Sequence, residues 1–268
     1  MSALRVIVVG ASGRMGRMLV RAISESRNAR LVGATERVSS EFIGCDAGEL
    51  AGVETLGVQL VSDVTSCTTA DVLIDFTSPV ATLKHAAFVA DRAMGMVIGT
   101  TGFDSEQLQQ LHTILADSPV VMAANYSVGV NLALSLIEKA AAVLAEDYDA
   151  EIFEAHHKHK VDAPSGTALA MGHALAAGRS VELDDVAVYS REGLIGARKS
   201  GSIGFSVVRG GNIVGEHAAM FISDEERVVI RHEASDRMVF ARGAVRAANW
   251  LVPQGAGNYD MQDVLGLN

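Results

Sequence analysis

The sequence predicts an α/β protein: a Rossmann-type doubly wound parallel sheet plus an inserted α+β domain with an open mixed sheet. Three observations carry this. Short apolar runs alternate with helical periodicities through the first half, and a glycine-rich turn joins the first run to the first helix. After residue 127 several strand-like runs succeed one another without helices between them. Alternation of strand and helix implies a parallel sheet covered on both faces, whereas strands in succession imply hairpins and an open sheet.

Leu4 to Val9 is apolar and rich in branched residues, as a buried parallel strand requires. It runs into Gly10-Ala11-Ser12-Gly13-Arg14-Met15-Gly16, and apolar Met15, Met18, Leu19, Ala22 and Ile23 then recur at helical spacing. The glycine spacing is GxxGxxG, one residue from the GxGxxG fingerprint. Its physics is the same: glycines let the backbone approach a pyrophosphate, and the helix N-terminus stabilises its charge. A second strand, Arg30 to Thr35, ends at Glu36-Arg37. Glu36 stands 20 residues after Gly16, where an acid commonly bonds the adenosine ribose of NAD. Arg37 beside it suits the 2′-phosphate of NADP, so the pair predicts tolerance of either cofactor.

Further strands are expected at Val72–Phe76, Met96–Ile98 and Val120–Ala123, with helices at Val80–Arg92 and Ser105–Ala116 between them. Ligands sit at the carboxyl ends of such strands, so loops 75–79, 99–102 and 123–127 should line the nicotinamide end. The second half opens with a helix, Val130–Leu144, whose apolar face reads as Leu132, Leu136, Ala140, Val143 and Leu144. Strands are expected near Ala150–Ala155 and at Val186–Tyr189, Ile203–Val208, Ile213–Ala219 and Glu226–Glu233, with a turn at Gly210-Gly211-Asn212. A helix from about Asp236 leads the chain back to the first domain. The expected division is therefore 1–127 plus 237–268 for the dinucleotide and 128–236 for substrate and oligomerisation. Phe205, Val207, Val214 and Phe221 are taken as the uncovered face of the open sheet, which predicts burial against another copy.

At 268 residues, 49% hydrophobic and 20% charged, the chain has the balance of a soluble globular protein. Its net charge of −10 argues against nonspecific nucleic-acid binding. The only cysteines are Cys45 and Cys67, which lack CxxC spacing. The first apolar run is too short for a signal sequence, and no run approaches the roughly 20 apolar residues of a membrane span. A reducing, cytoplasmic setting is expected.

Against this acidic background, residues 156–160 read His156-His157-Lys158-His159-Lys160. A solvated face would account for the lysines but for neither the histidines nor the helix start just downstream. Asp162-Ala163-Pro164-Ser165-Gly166-Thr167 reads as a turn into a helix capped by Ser165, with the N–H groups of Gly166 and Thr167 in its first turn. A helix start holds anions, and proton-donating side chains lie just upstream. The block therefore describes a site for an anionic substrate that must receive a proton. No metal is expected, because Lys158 and Lys160 interleave with the would-be ligands. Ser165 lacks the glycine two residues earlier that a nucleophile elbow has, so capping is its expected role.

VVGASGRMGR at 8–17, Glu36-Arg37, VIGTTGF at 97–103, AANYSVGVN at 123–131 and EAHHKHKVDAPSGTA at 154–168 together closely resemble the bacterial 4-hydroxy-tetrahydrodipicolinate (dihydrodipicolinate) reductases, essentially end to end. The resemblance implies NADH- or NADPH-dependent reduction of a cyclic imine-type dicarboxylate in diaminopimelate and lysine biosynthesis. It implies cofactor contacts from Gly10, Ala11, Ser12, Gly13, Arg14, Met15 and Gly16, from Glu36 and Arg37, from Gly99, Thr100 and Thr101, and from Ala123, Ala124, Asn125 and Tyr126. His156 matches a proton donor/acceptor and Lys160 the proton donor, while His157, Gly166 and Thr167 match substrate-binding positions. The family often carries an arginine where this chain has Ser78. Its members are typically homotetramers joined through the second domain's sheet. Closure between the domains is expected before hydride transfer. A semialdehyde dehydrogenase on the same scaffold would need a cysteine in the catalytic domain, and both cysteines precede residue 70. A cofactor-sensing module would show a degraded proton-transfer block, which here is complete.

Overall fold

The computed structural model describes residues 3–67 and 69–267. The chain forms two compact units, one running to Val128 and resuming over Met238–Gly266, the other Gly129–Arg237. In the first unit, β1 (Leu4–Val9), α1 (Arg14–Ser24), β2 (Ala29–Thr35), α2 (Ala47–Ala51) and β3 (Leu60–Val61) are succeeded by β4 (Val72–Asp75), α3 (Pro79–Ala90), β5 (Gly95–Ile98), α4 (Ser105–Ile114) and β6 (Pro119–Met122). In the second lie α5 (Val128–Leu144, which spans the boundary), β7 (Asp149–His156), α6 (Gly166–Gly178), α7 (Leu183–Val186), β8 (Ala187–Val188), β9 (Ile203–Arg209), β10 (Gly215–Ile222) and β11 (Arg227–Ala234). The chain then returns to the first unit through α8 (Met238–Leu251), β12 (Gly257–Tyr259) and α9 (Met261–Leu265).

The first unit holds a seven-stranded sheet in the order β12-β6-β5-β4-β1-β2-β3, with each pair parallel. Two apolar layers sandwich it, as a doubly wound sheet demands. One contains Val6, Val8, Leu19, Ile23 and Ala248; the other contains Ile7, Val9, Leu73, Val89 and Leu111. Alternate residues of β1 thus serve opposite faces. Local signals start the helices: Pro79 at the head of α3 and a reciprocal Asp104–Gln107 capping box for α4. The short α2, β3, α7, β12 and α9 are not legible in the sequence. Each is at most five residues long, too short to show a period.

The second unit's sheet runs β11-β10-β7-β9-β8 and is mixed: β10 is antiparallel to β7 and β11, whereas β9 is parallel to β7 and β8. Two expectations need correction here. On α5 the buried residues are Val130, Asn131, Ala133, Ser135, Ile137 and Ala141, while Leu132, Leu136 and Val143 are exposed. The helix is apolar nearly all round, so periodicity cannot select its face. Small residues win because they allow close approach: a Cβ at Gly178 would lie 2.2 Å from Glu138 O and 2.8 Å from Ala141 Cβ. The uncovered sheet face also differs from the expected one. Ile203, Phe205, Ala219 and Phe221 pack into the core with Ile137, Ile152, Met171 and Leu175. Strand alternation then puts Phe153, Val208, Met220 and Val229 on the opposite face, beside the charged Glu151, Glu216 and Arg231.

Candidate active site

The first unit's candidate site begins with backbone. β1 is followed by Gly10, whose φ of +67° only glycine adopts without strain. The turn then folds back so tightly that a Cβ on Gly16 would stand 2.1 Å from Gly10 O and 2.6 Å from Ala11 Cα. Gly13 heads α1 with no side-chain cap, so the orphan N–H groups of the first turn carry the positive end of the helix. Across this turn, Glu36 Oε2 accepts from Ser12 N–H at 3.2 Å and from Ser12 Oγ at 2.5 Å, and Glu36 Oε1 accepts from Arg37 N–H at 2.9 Å. Ser12, Gly13, Glu36, Arg37, Ser39 and Phe42 line a cleft of about 400 Å³. Arg17, which no sequence signal marks, braces the turn by donating to Ser12 O at 2.8 Å while its guanidinium lies over the Phe42 ring. Arg14 and Arg37 are exposed and Met15 is half-buried.

At the carboxyl ends of β4, β5 and β6, a buried polar network ties together the expected nicotinamide loops. Asp75 is fully buried. Its Oδ1 accepts from Thr77 N–H (2.9 Å), Thr77 Oγ1 (2.6 Å) and Thr100 Oγ1 (3.2 Å), and its Oδ2 lies 2.7 Å from His85 Nδ1. Thr82 donates to Thr100 Oγ1 at 2.9 Å, and Thr77 N–H does so at 3.0 Å. The Thr100 hydroxyl is thus committed inward, and the Tyr126 phenol likewise reaches Ile98 O (2.8 Å) and Val121 O (3.0 Å). Burial pushes the Tyr126 phenol pKa far up. The Phe76 ring packs on Tyr126 and lies so close to Gly99 that a Cβ there would sit 2.0 Å from it. Ala123 and Asn125 are half-buried, and Thr101 and Ala124 are exposed. Any ligand contact at 100 therefore comes from backbone. Asp75, Thr82 and His85 carry no sequence signal of their own, because nothing in the sequence pairs residues across three different loops.

The second unit's candidate site is built from side chains. β7 carries Glu154 and His156 on one face and ends where His156 begins the loop. His156 O accepts from Gly210 N–H at 2.9 Å, and Lys158 N–H donates to Gly211 O at 3.3 Å, so the glycine turn between β9 and β10 holds the loop's base. Glu154 is 1% exposed, and its two oxygens meet His156 Nδ1 (2.6 Å), both Arg209 terminal nitrogens (2.8 and 2.7 Å) and Ser165 N–H (3.0 Å). Burial alone would raise its pKa, but Arg209, His156 and the Ser165 N–H together hold it below the ordinary carboxylate value. Ser165 caps α6 by accepting from Ala168 N–H, and its hydroxyl also lies 3.1 Å from His217 Nε2. Burial, with the neighbouring His156, lowers the His217 pKa from 6.5 to about 4. Gly166 and Thr167 open the first turn of α6 as the sequence indicates.

Lys160 Nζ meets Asp162 Oδ1 at 2.9 Å, which lowers the Asp162 pKa. His157 Nδ1 lies 3.2 Å from His159 N–H, and His157 Nε2 lies 3.1 Å from Arg237 Nη2. A neutral imidazole accepts at only one nitrogen, so one of these two donors is available for exchange with another acceptor. Desolvation, then the Arg237 charge, lowers the His157 pKa. Arg237 is likewise unmarked in the sequence; it stands 80 residues from His157. Glu154, His156 and His217 place ligand-type atoms within 4.8 Å of one another, the spacing of a cation site. Arg209 already holds both Glu154 oxygens, however, and its charge opposes a metal ion there.

Both units match one family. Residues 4–126 match the model described as dihydrodipicolinate reductase, N-terminus, and residues 129–265 match its C-terminus. The chain belongs to the dihydrodipicolinate reductase family. A 4-hydroxy-tetrahydrodipicolinate reductase of Dinoroseobacter shibae is 52% identical over 263 residues, 98% of each chain. Among solved structures, a dipicolinate-bound dihydrodipicolinate reductase from Paenisporosarcina superposes with a TM-score of 0.75 at 25% identity, covering 96% of this chain and 97% of that one. An amine dehydrogenase from Mycobacterium smegmatis shares the fold, with a TM-score of 0.60 at 14% identity over 96% of this chain and 94% of that one. In this chain the histidine-lysine loop, through His156 Nδ1, and the start of α6, through Ser165 N–H, both meet Glu154.

Proposed function

We propose that this chain reduces 4-hydroxy-tetrahydrodipicolinate to tetrahydrodipicolinate with NADH or NADPH, within diaminopimelate and lysine biosynthesis. The observation that carries the reading is one loop, from His156 to Gly166, that bears acid/base side chains at one end and a helix start at the other. The turn at residues 10–16 fits a dinucleotide, since its packing against Gly10 O leaves no room for a Cβ at Gly16 and Glu36 stands across it. Bound there, the reduced nicotinamide supplies a hydride. The glycine turn and α1 N-terminus hold the pyrophosphate, and Glu36 and Arg37 hold the adenosine ribose or its 2′-phosphate. Residues 99–101 and 123–126 hold the nicotinamide side.

On the substrate side, the N–H groups of Gly166 and Thr167 bind one carboxylate. Arg237 exchanges His157 for the other, a charge-assisted contact stronger than the one it gives up. The substrate's hydroxyl leaves as water, and Lys160 donates from Nζ the proton that balances the incoming hydride, with Asp162 steadying that ammonium. His156 serves as the second acid/base group through Nε2. We further propose a cytoplasmic setting, supported by two unpaired cysteines, and a homotetramer joined through the uncovered face of the second sheet. No helix among the described residues is long and apolar enough to cross a membrane. The tetramer is expected as a fourfold mass in light scattering, and a monomer at micromolar concentration would contradict it.

The test monitors oxidation of NADH and NADPH separately, with the substrate formed in place from pyruvate and aspartate semialdehyde by the upstream synthase. Rapid oxidation that requires every component is the expected result. Cofactor binding without oxidation would overturn the substrate assignment.

A further inference from the structure

Glu154 is given no part in binding either reactant, yet its carboxylate is buried and paired on both oxygens. It lies near the end of β7 and makes four hydrogen-bonded contacts: with its strand neighbour His156, with Ser165 eleven residues on, and with Arg209 fifty-five residues on. Arg209 reaches it from β9, where it stands directly opposite His156 in the parallel register. Ser165 N–H reaches it from the residue that caps α6. We propose that Glu154, gripped by Arg209, is the positioning residue of the proton-transfer site: it fixes the His156 ring with Nδ1 protonated and Nε2 presented, and ties the start of α6 to the same carboxylate. This inference rests on His156 acting as an acid/base group.

An ionised carboxylate accepts hydrogen bonds and donates none, so His156 Nδ1 carries its hydrogen in either charge state of the ring. Nε2 is then the nitrogen that gains and loses a proton. An orienting partner on one imidazole nitrogen thereby selects the reactive nitrogen and holds its direction. Arg209 in turn keeps the carboxylate ionised and fixed in plane, since its planar fork engages both oxygens. Because the same oxygen that accepts from Arg209 Nη2 also accepts from Ser165 N–H, the spacing between the His156 ring and the first turn of α6 is set by one rigid group.

A buried ion pair with a merely structural role would also be costly to break, so the test is a double-mutant cycle in the full-length enzyme. Turnover is measured for the wild type, His156→Ala, Glu154→Gln and the double variant, with NADH affinity and melting temperature as controls. His156→Ala alone is expected to lower turnover by about 10²–10⁴-fold. Glu154→Gln alone is expected to lower kcat by about 10–100-fold, as removal of a histidine's orienting partner does, with a smaller change in substrate KM. In the His156→Ala background the Glu154→Gln change should cost no more than about twofold, because its effect passes through the missing ring. Equal losses in both backgrounds, or full turnover of Glu154→Gln, would overturn the positioning role while leaving His156 in place. Wild-type turnover of His156→Ala would overturn both. Should Glu154→Gln fail to fold, Glu154→Asp keeps the charge but withdraws the carboxylate. Its loss of kcat must likewise vanish in the His156→Ala background, and persistence there contradicts the proposal.

Discussion

The two units build their candidate sites in opposite ways. The first relies on what is missing: at Gly10, Gly16 and Gly99 the backbone takes a path, or accepts a neighbour, that a side chain would forbid. The second relies on what is present, a buried carboxylate surrounded by Arg209, His156 and a capped helix start. Backbone geometry carries no titratable group and is insensitive to pH. An assembly of ion pairs and histidines is sensitive to it by construction. The contrast therefore predicts where each kind of perturbation should strike.

The largest expected effect separates the second unit's core from its surface. Ile137→Ala should lower stability by about 2–5 kcal/mol, whereas Leu136→Ala on the same helix should stay within about 0.5 kcal/mol. Paired denaturant melts check this, and equal losses would restore the face that periodicity suggests. Next comes pH. His217 is held neutral with its pKa depressed from 6.5 to about 4, so the unfolded chain binds more protons in that interval. Stability is then complete above the unfolded value and is lost as pH falls through the window, by up to about 3 kcal/mol. Melts between pH 7 and 4 should show the loss, and His217→Gln should flatten it; an equally steep His217→Gln curve would place the sensitivity elsewhere.

A smaller effect should come from the first unit. Gly16→Ala forces a Cβ to within 2.1 Å of Gly10 O, an overpacking that costs about 1–3 kcal/mol. The loss is expected mainly in cofactor affinity, read by titration with NADH, and with no pH dependence between 7 and 5. The smallest is Asp162→Asn. The Lys160–Asp162 pair is half-exposed on its acidic side, so stability should change by less than about 1 kcal/mol. A larger change would mean the pair bears structural load that its exposure does not suggest.

The same contrast explains what can be read from the sequence. The glycine turn, the strand before it, the helix after it and Glu36 lie within a short span and obey local rules, so they are legible residue by residue. The histidine-lysine loop is legible as well, because its composition stands out in an acidic chain. Arg209, His217 and Arg237 are not, since each meets the loop only through sheet register or a distant chain segment. Thr100 and Tyr126 are expected on the cofactor side, but their side chains are turned inward, which alternation within a four-residue strand end does not reveal. On α5, uniform apolarity conceals the buried face, and only the close approach of α6 decides it.

That binding of cofactor and delivery of the proton reside in different units is tested most directly by Lys160→Ala. NADH affinity and substrate-dependent NADH oxidation would be measured on one preparation. Affinity within about threefold of wild type is expected, with turnover lower by about 10²–10⁴-fold. Wild-type turnover, or a loss of affinity that accounts for the lost activity, would contradict it.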